Sequence, residues 1–171
     1  MCDLSKRLAD ECGRQQESCL YTSTALFIWL RVLRWIRIGF VVVPLVLGSL
    51  ASGKLLLDAE PHGTEGWAAA FALIAGLLPT IYAALKFDDK LKECANLAAE
   101  FKNLQDRFRQ AQLVDSLRPV NEFEVQFKSL MNRLEAARKP SFTTPEWCFR
   151  SAQEKIKKGD YTFNSDLKGQ G

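Results

Sequence analysis

Two long apolar runs divide this chain. The first covers residues 38–57 (IGFVVVPLVLGSLASGKLLL) and the second residues 67–85 (WAAAFALIAGLLPTIYAAL), with a polar turn, DAEPHGTEG, between them. Roughly 20 helical residues at ~1.5 Å rise span the ~30 Å of a bilayer's hydrocarbon, so each run has the length of one crossing. The pattern predicts a transmembrane hairpin with an outer turn at 58–66. Before it, residues 3–20 form a polar helix with a weak stripe of Leu4, Leu8, Cys12, Gln15 and Cys19. Residues 21–37 are apolar except for Arg31, Arg34 and Arg37, with Trp29 and Trp35 among them. Each arginine inside the bilayer would cost ~2.5–3.5 kcal/mol, so the first crossing is expected to start at Ile38.

After the hairpin the period changes. Phe87, Cys94, Phe101 and Phe108 recur at sevens, as do Leu97, Leu104 and Ala111. That is a broad apolar stripe on a charged helix, which requires a packing partner. This helix is expected to continue straight from the second crossing. Pro119 breaks it. Residues 120–138 then carry Phe123, Phe127, Leu130, Leu134 and Ala137 at steps of four and three, a second helix folding back antiparallel until Pro140. Thr144 reads as an N-cap with Pro145 at the first helical position, opening a short helix to Lys158 that Gly159 stops. Its Trp147, Phe149, Ala152 and Ile156 are placed to cover the open seam of the bundle. The organisation expected is an N-terminal helix and basic neck (1–37), the hairpin (38–85), a helical bundle (86–163) and a loose tail (164–171). The fold class is an all-α membrane protein: a two-pass transmembrane hairpin with a cytoplasmic, coiled-coil-like bundle.

Bulk composition hides this segregation. Over 171 residues the mean hydropathy is −0.10 and 47% of residues are hydrophobic, values typical of a soluble protein. The net charge of +3 is too small to point to nucleic acid, and none is expected as a partner. Placement of charge says more. Arg31, Arg34 and Arg37 precede the hairpin and Lys86, Lys90 and Lys92 follow it, while the turn holds only Asp58, Glu60 and Glu65. By the positive-inside rule both termini are cytoplasmic. Arg31, Arg34, Trp35, Arg37 and Lys86 form a membrane neck. It reads either as an anchor or as a contact for anionic lipid head groups or a phosphorylated ligand.

Candidate chemistry is sparse. Cys2, Cys12, Cys19, Cys94 and Cys148 make no CxxC pair, and His62 is the single histidine, so no metal site or cofactor is expected. The cysteines suit free thiols in a reducing cytosol, with palmitoylation left open. The polar first twenty residues do not read as a signal peptide. Gly48–Leu55, GSLASGKL, approaches the phosphate-binding pattern GxxxxGK[ST], but Leu55 replaces the magnesium ligand and no strand precedes it. No nucleophile–base pair is visible, and enzymatic activity is not expected. Within the crossings the polar groups are Ser49, Ser52 and Thr80. Pro44 and Pro79 are expected to kink the helices. Small residues, with Ser49/Gly53 and Ala72/Gly76 at small-xxx-small spacing and Gly48 nearby, suit close packing within one hairpin or between hairpins of a homo-oligomer. Phe87, Cys94, Phe101, Leu104, Phe108, Phe123, Phe127, Leu130 and Leu134 are the expected bundle or oligomer interface.

Taken together, the polar first helix, the Arg-flanked hairpin, the striped helix AAEFKNLQDRFRQ and the closing PEWCFRSAQEKIKKGDY resemble the SLATT domains, two-transmembrane effectors associated with SMODS nucleotidyltransferases and SLOG proteins. The likeness covers roughly residues 4–163, and the pattern from Pro145 to Tyr161 is its most telling part. It implies a bacterial inner-membrane effector of an anti-phage or conflict system. Such an effector oligomerises into a pore or perturbs the membrane in abortive infection, when triggered by a nucleotide signal or by a sensor partner such as a nucleotidyltransferase or retron system. The alternative is a membrane-anchored interaction module that docks a soluble partner through its cytoplasmic helices.

Overall fold

The computed structural model describes residues 3–57, 65–139 and 144–159, and those residues are helical apart from short turns. The outer turn through residue 64 with His62, Pro140, Cys2 and everything from Asp160 onward lie outside the described residues. The elements are α1 (Asp3–Leu57), α2 (Glu65–Ala84), α3 (Phe87–Leu113), a 3-10 turn (Asp115–Leu117), α4 (Val120–Arg138) and α5 (Glu146–Lys157).

The polar helix, the arginine-bearing segment and the first apolar run are one uninterrupted helix, α1. No proline precedes Pro44, and the Arg-bearing stretch is as good a helix former as its flanks. The third helix does not run straight on from the second. Lys86 takes φ 47°, a left-handed conformation that no helix interior accommodates, and separates α2 from α3. Thr144 does not cap α5. Pro145 occupies the cap position with ψ 144°, no side-chain bond is made there, and the helix starts one residue later at Glu146. The expected stop is present, since Gly159 adopts φ 85°. The bounds of α4 are those expected, with Pro119 as its cap residue. Helix persists through both Pro44 and Pro79.

The chain divides into two compact units, one from Met1–Leu30 with Glu93–Gly171 and the other Arg31–Lys92. The first is a helical bundle. The N-terminal part of α1 lies antiparallel to α3: the Cys94 thiol donates to Leu26 O (3.8 Å), and Ser5 Oγ donates to Ser116 O (3.2 Å). Helix α4 turns back along α3 after the short 3-10 connection, and Arg133 on α4 reaches Glu100 on α3 at 2.7 Å. Helix α5 packs on α1 through Trp147 against Trp29 (edge-to-face, 6.0 Å) and Phe149 against Tyr21 (6.2 Å). Cys148 and Ala152 of α5 are buried on Ala25, with Ile28 and Trp29 alongside. So α5 does cover a seam, although Cys148 and Ala152 are its buried residues while Trp147 and Phe149 stay partly exposed. The core proper holds Cys94, Phe101, Leu104, Phe108, Phe123 and Leu134 from the predicted stripe. Phe127 and Leu130 are half-buried at its margin.

Among the described residues four cysteines are free and buried: Cys12, Cys19, Cys94 and Cys148. Burial pushes the thiols of Cys12, Cys19 and Cys94 from 9.0 up to about 11 and raises Cys148 as well. Their role is packing, since reactivity requires an accessible thiolate. In the unfolded chain these thiols ionise near 9.0, before the folded ones do. The contribution of these thiols to bundle stability is therefore expected to be intact below about pH 9.0 and to be lost as pH rises toward about 11. Denaturant midpoints measured from pH 7 to 10.5 check this, and a Cys12→Ala, Cys19→Ala, Cys94→Ala variant should lose most of the dependence.

Candidate functional site at the neck of the apolar hairpin

The second unit is an antiparallel pair of apolar helix segments that cover little of each other. The most apolar stretch of α1 is long enough to cross a membrane and is only 6% buried; α2, taken with α3 across the break at Lys86, is a second candidate. Contact between the two runs along one side. Ala51 is buried, and Ile36, Gly39, Phe40 and Val43 of α1 meet Leu78 of α2 around a wholly apolar groove of about 210 Å³. The remaining surface is exposed hydrocarbon: Leu45 is 70% exposed and Leu73 64%. In water this much contiguous apolar surface would be an aggregation liability.

The small and polar residues singled out from the sequence sit mostly on that outer surface. Ser49, Ser52, Ala72, Gly76, Pro79 and Thr80 are exposed, and Pro44, Gly48 and Gly53 half-buried. A methyl group built on Gly48, Gly53 or Gly76 would meet nothing within 4 Å. The glycines are therefore not what brings α1 and α2 of one chain together. The hydroxyls are committed to their own helices: Ser49 donates to Leu45 O (2.8 Å), Ser52 to Gly48 O (2.9 Å) and Thr80 to Gly76 O (3.4 Å). Such back-bonding removes the donor from any role across the helix pair.

The chemistry of this unit is concentrated at the neck, where the chain leaves α2. Leu85 N–H still donates to Ile81 O (3.0 Å) and Lys86 N–H to Ala83 O (3.1 Å). The left-handed turn of Lys86 then restarts the chain, and its carbonyl accepts from Asp89 N–H (3.1 Å) in the first turn of α3. A non-glycine residue in that conformation costs ~1–2 kcal/mol, so neighbouring contacts must hold it. They come from all three helices. Asp88 Oδ1 accepts from Tyr82 OH of α2 at 2.7 Å and pairs with Arg37 Nε of α1 at 3.3 Å. Above this clasp the rings of Phe40, Tyr82 and Phe87 meet pairwise at 5.5–6.3 Å. Phe87, expected in the bundle stripe, belongs here instead. Both partners of the ion pair are about half exposed, so in water it is worth at most ~1 kcal/mol. The aromatic contacts contribute ~0.5–1.5 kcal/mol per pair beyond their burial.

Of the predicted neck residues, Arg37 is in the clasp and Lys86 forms the break, while Arg31, Arg34 and Trp35 are exposed. Asp88 and Phe40 were not foreseen. Counting out equally from the turn, Arg37 and Asp88 fall opposite each other, and that was the available signal. Among the described residues no cluster of histidine, cysteine or carboxylate could hold a metal.

Comparisons with protein families, with curated proteins and with solved structures find no match.

Proposed function

We propose that this chain is a two-pass inner-membrane effector. Its apolar helix pair crosses the bilayer, both termini lie in the cytoplasm, and it self-associates to form a leak when a partner or nucleotide signal acts on the helical bundle. The observation that carries the membrane reading is that the most apolar stretch of α1 is 6% buried; the core helix of a soluble protein would be mostly covered. Unpaired glycines on the outer faces of α1 and α2 support contact between hairpins, because close helix approach in lipid favours small residues. The effector role rests on the resemblance to SLATT domains. The neck clasp gives that role a mechanical element, since Asp88 ties the start of α3 to both apolar helices. Induced expression in bacteria carrying a potential-sensitive dye, with and without neighbouring genes, tests this reading. Depolarisation under an activating condition is expected, and Asp88→Ala is expected to shift its threshold. Persistently unaltered potential would sink it.

A second reading is a membrane-anchored docking module. It is favoured by an exposed apolar cluster at the α3–α4 turn, where Leu113, Val114 and Leu117 lie in the open. If it holds, replacing residues 38–85 by an unrelated two-pass anchor preserves function, whereas the leak reading requires that function be lost.

A further inference from the structure

We propose that the outer face of α1 carries a binding site for one anionic phospholipid, its head group held by Arg31 and Arg34 and its acyl chain lying along the helix above them. The proposal rests on the membrane reading and adds a specific ligand to it. Residues 31, 34, 35, 38, 41, 42 and 45 fall within ~120° of the helix circumference at ~100° per residue. They are Arg31, Arg34, Trp35, Ile38, Val41, Val42 and Leu45, all exposed. The face opposite them holds Ile36, Phe40 and Val43, which line the groove beside Leu78 of α2, with Val43 itself still 46% exposed. One continuous stripe therefore changes character once along its length, from two guanidiniums through an indole to bare aliphatic side chains.

That sequence of chemistries matches a phospholipid read from head to tail. Among the described residues neither Arg31 nor Arg34 has an ion pair, whereas Arg37, on the inner side, is taken by Asp88. Cβ atoms three residues apart on a helix are ~5–6 Å from each other, so both guanidiniums can reach a single phosphodiester. Trp35, 68% exposed, stands at the boundary where an indole is favoured by its apolar body and its N–H donor. From Ile38 the apolar stripe continues to Ser49, whose hydroxyl is already bonded to Leu45 O. Eleven residues at ~1.5 Å rise cover ~16 Å, the depth of one leaflet of a ~30 Å hydrocarbon core. An acyl chain thus ends where the aliphatic stripe does. A zwitterionic lipid offers the same chain and phosphate, but its choline or ethanolamine brings a cation against two unpaired arginines. The charge complementarity selects a head group with net negative charge.

The test is retention of lipid by the full-length chain. The protein is reconstituted into vesicles of phosphatidylcholine with 10% phosphatidylglycerol, extracted in mild detergent, and its bound lipids are counted by native mass spectrometry. The wild-type chain is expected to retain one phosphatidylglycerol with at least tenfold enrichment over the bulk lipid. Arg31→Ala/Arg34→Ala should abolish the enrichment, and Arg31→Lys/Arg34→Lys, which keeps the charge but not the planar fork, should retain only part of it. Lys90→Ala/Lys92→Ala removes the same charge from another exposed place and should leave the enrichment intact. Equal losses in the arginine and lysine variants would mean that only surface potential attracts the lipid, and would overturn the site. Insertion into vesicles without any enrichment overturns the site and leaves the membrane reading standing. Failure to associate with vesicles of either lipid overturns both.

Discussion

Leu45→Arg is expected to remove most of the protein from the membrane fraction. Leu45 lies near the middle of the first apolar run and is 70% exposed. In a water-soluble protein, an exposed leucine replaced by arginine changes stability by no more than about 0.5 kcal/mol and improves solubility. At mid-bilayer the same change costs ~2.5–3.5 kcal/mol of insertion free energy. The two environments thus predict opposite signs for one substitution. Resistance to alkaline extraction from isolated membranes measures it directly. Val125→Arg serves as the control, because Val125 is 65% exposed on α4 of the bundle and should tolerate the charge. If Leu45→Arg instead raises soluble yield with helicity intact, the apolar pair is not a membrane element.

In the bundle, the largest loss is expected from Phe108→Ala. Phe108 is fully buried on α3, in the same core as Leu104, Phe123 and Leu134. Truncating a buried phenylalanine costs ~3–5 kcal/mol, counting both lost transfer energy and the cavity that remains. Against the ~5–15 kcal/mol that holds a domain together, that is enough to leave the bundle partly unfolded at growth temperature. Denaturant unfolding followed by tryptophan emission reports it, because the Trp29–Trp147 contact joins α1 to α5. Val125→Ala on the exposed side should change the unfolding free energy by no more than about 0.5 kcal/mol. Comparable losses in the two variants would mean that the stripe does not form the core.

How much could be read from the residues alone depended on the range of the interaction. Helix α4 was legible to its ends, because Pro119 and a regular four–three stripe are local signals. The core of α3 was legible for the same reason: a period of seven identifies Cys94, Phe101 and Phe108 without knowing what covers them. The start of α5 was missed by one residue, since Pro145 is compatible with either side of a helix boundary and only its ψ decides. The break at Lys86 was missed because lysine is a good helix former, and nothing local forces it into a left-handed turn. What holds it there is the meeting of Arg37, Tyr82 and Asp88, which are brought together only when α1 and α2 pair. The small residues were legible as a pattern, but their direction was not. Spacing places Gly48, Gly53 and Gly76 on helices without saying that open space, not a neighbouring side chain, lies beside each of them.

The back-bonded hydroxyls of Ser49, Ser52 and Thr80 have a consequence for hydration. A hydroxyl that has given its proton to its own helix keeps only acceptor capacity for passing water, so walls built from these helices would be wetted weakly. If the proposed leak forms between copies of this hairpin, a narrow channel there would stay dry and insulating. Water enters such a channel only once it is wide enough to keep most of its own hydrogen bonds, and ions follow the water. Conductance would then arrive in one large step, with little power to tell one small ion from another.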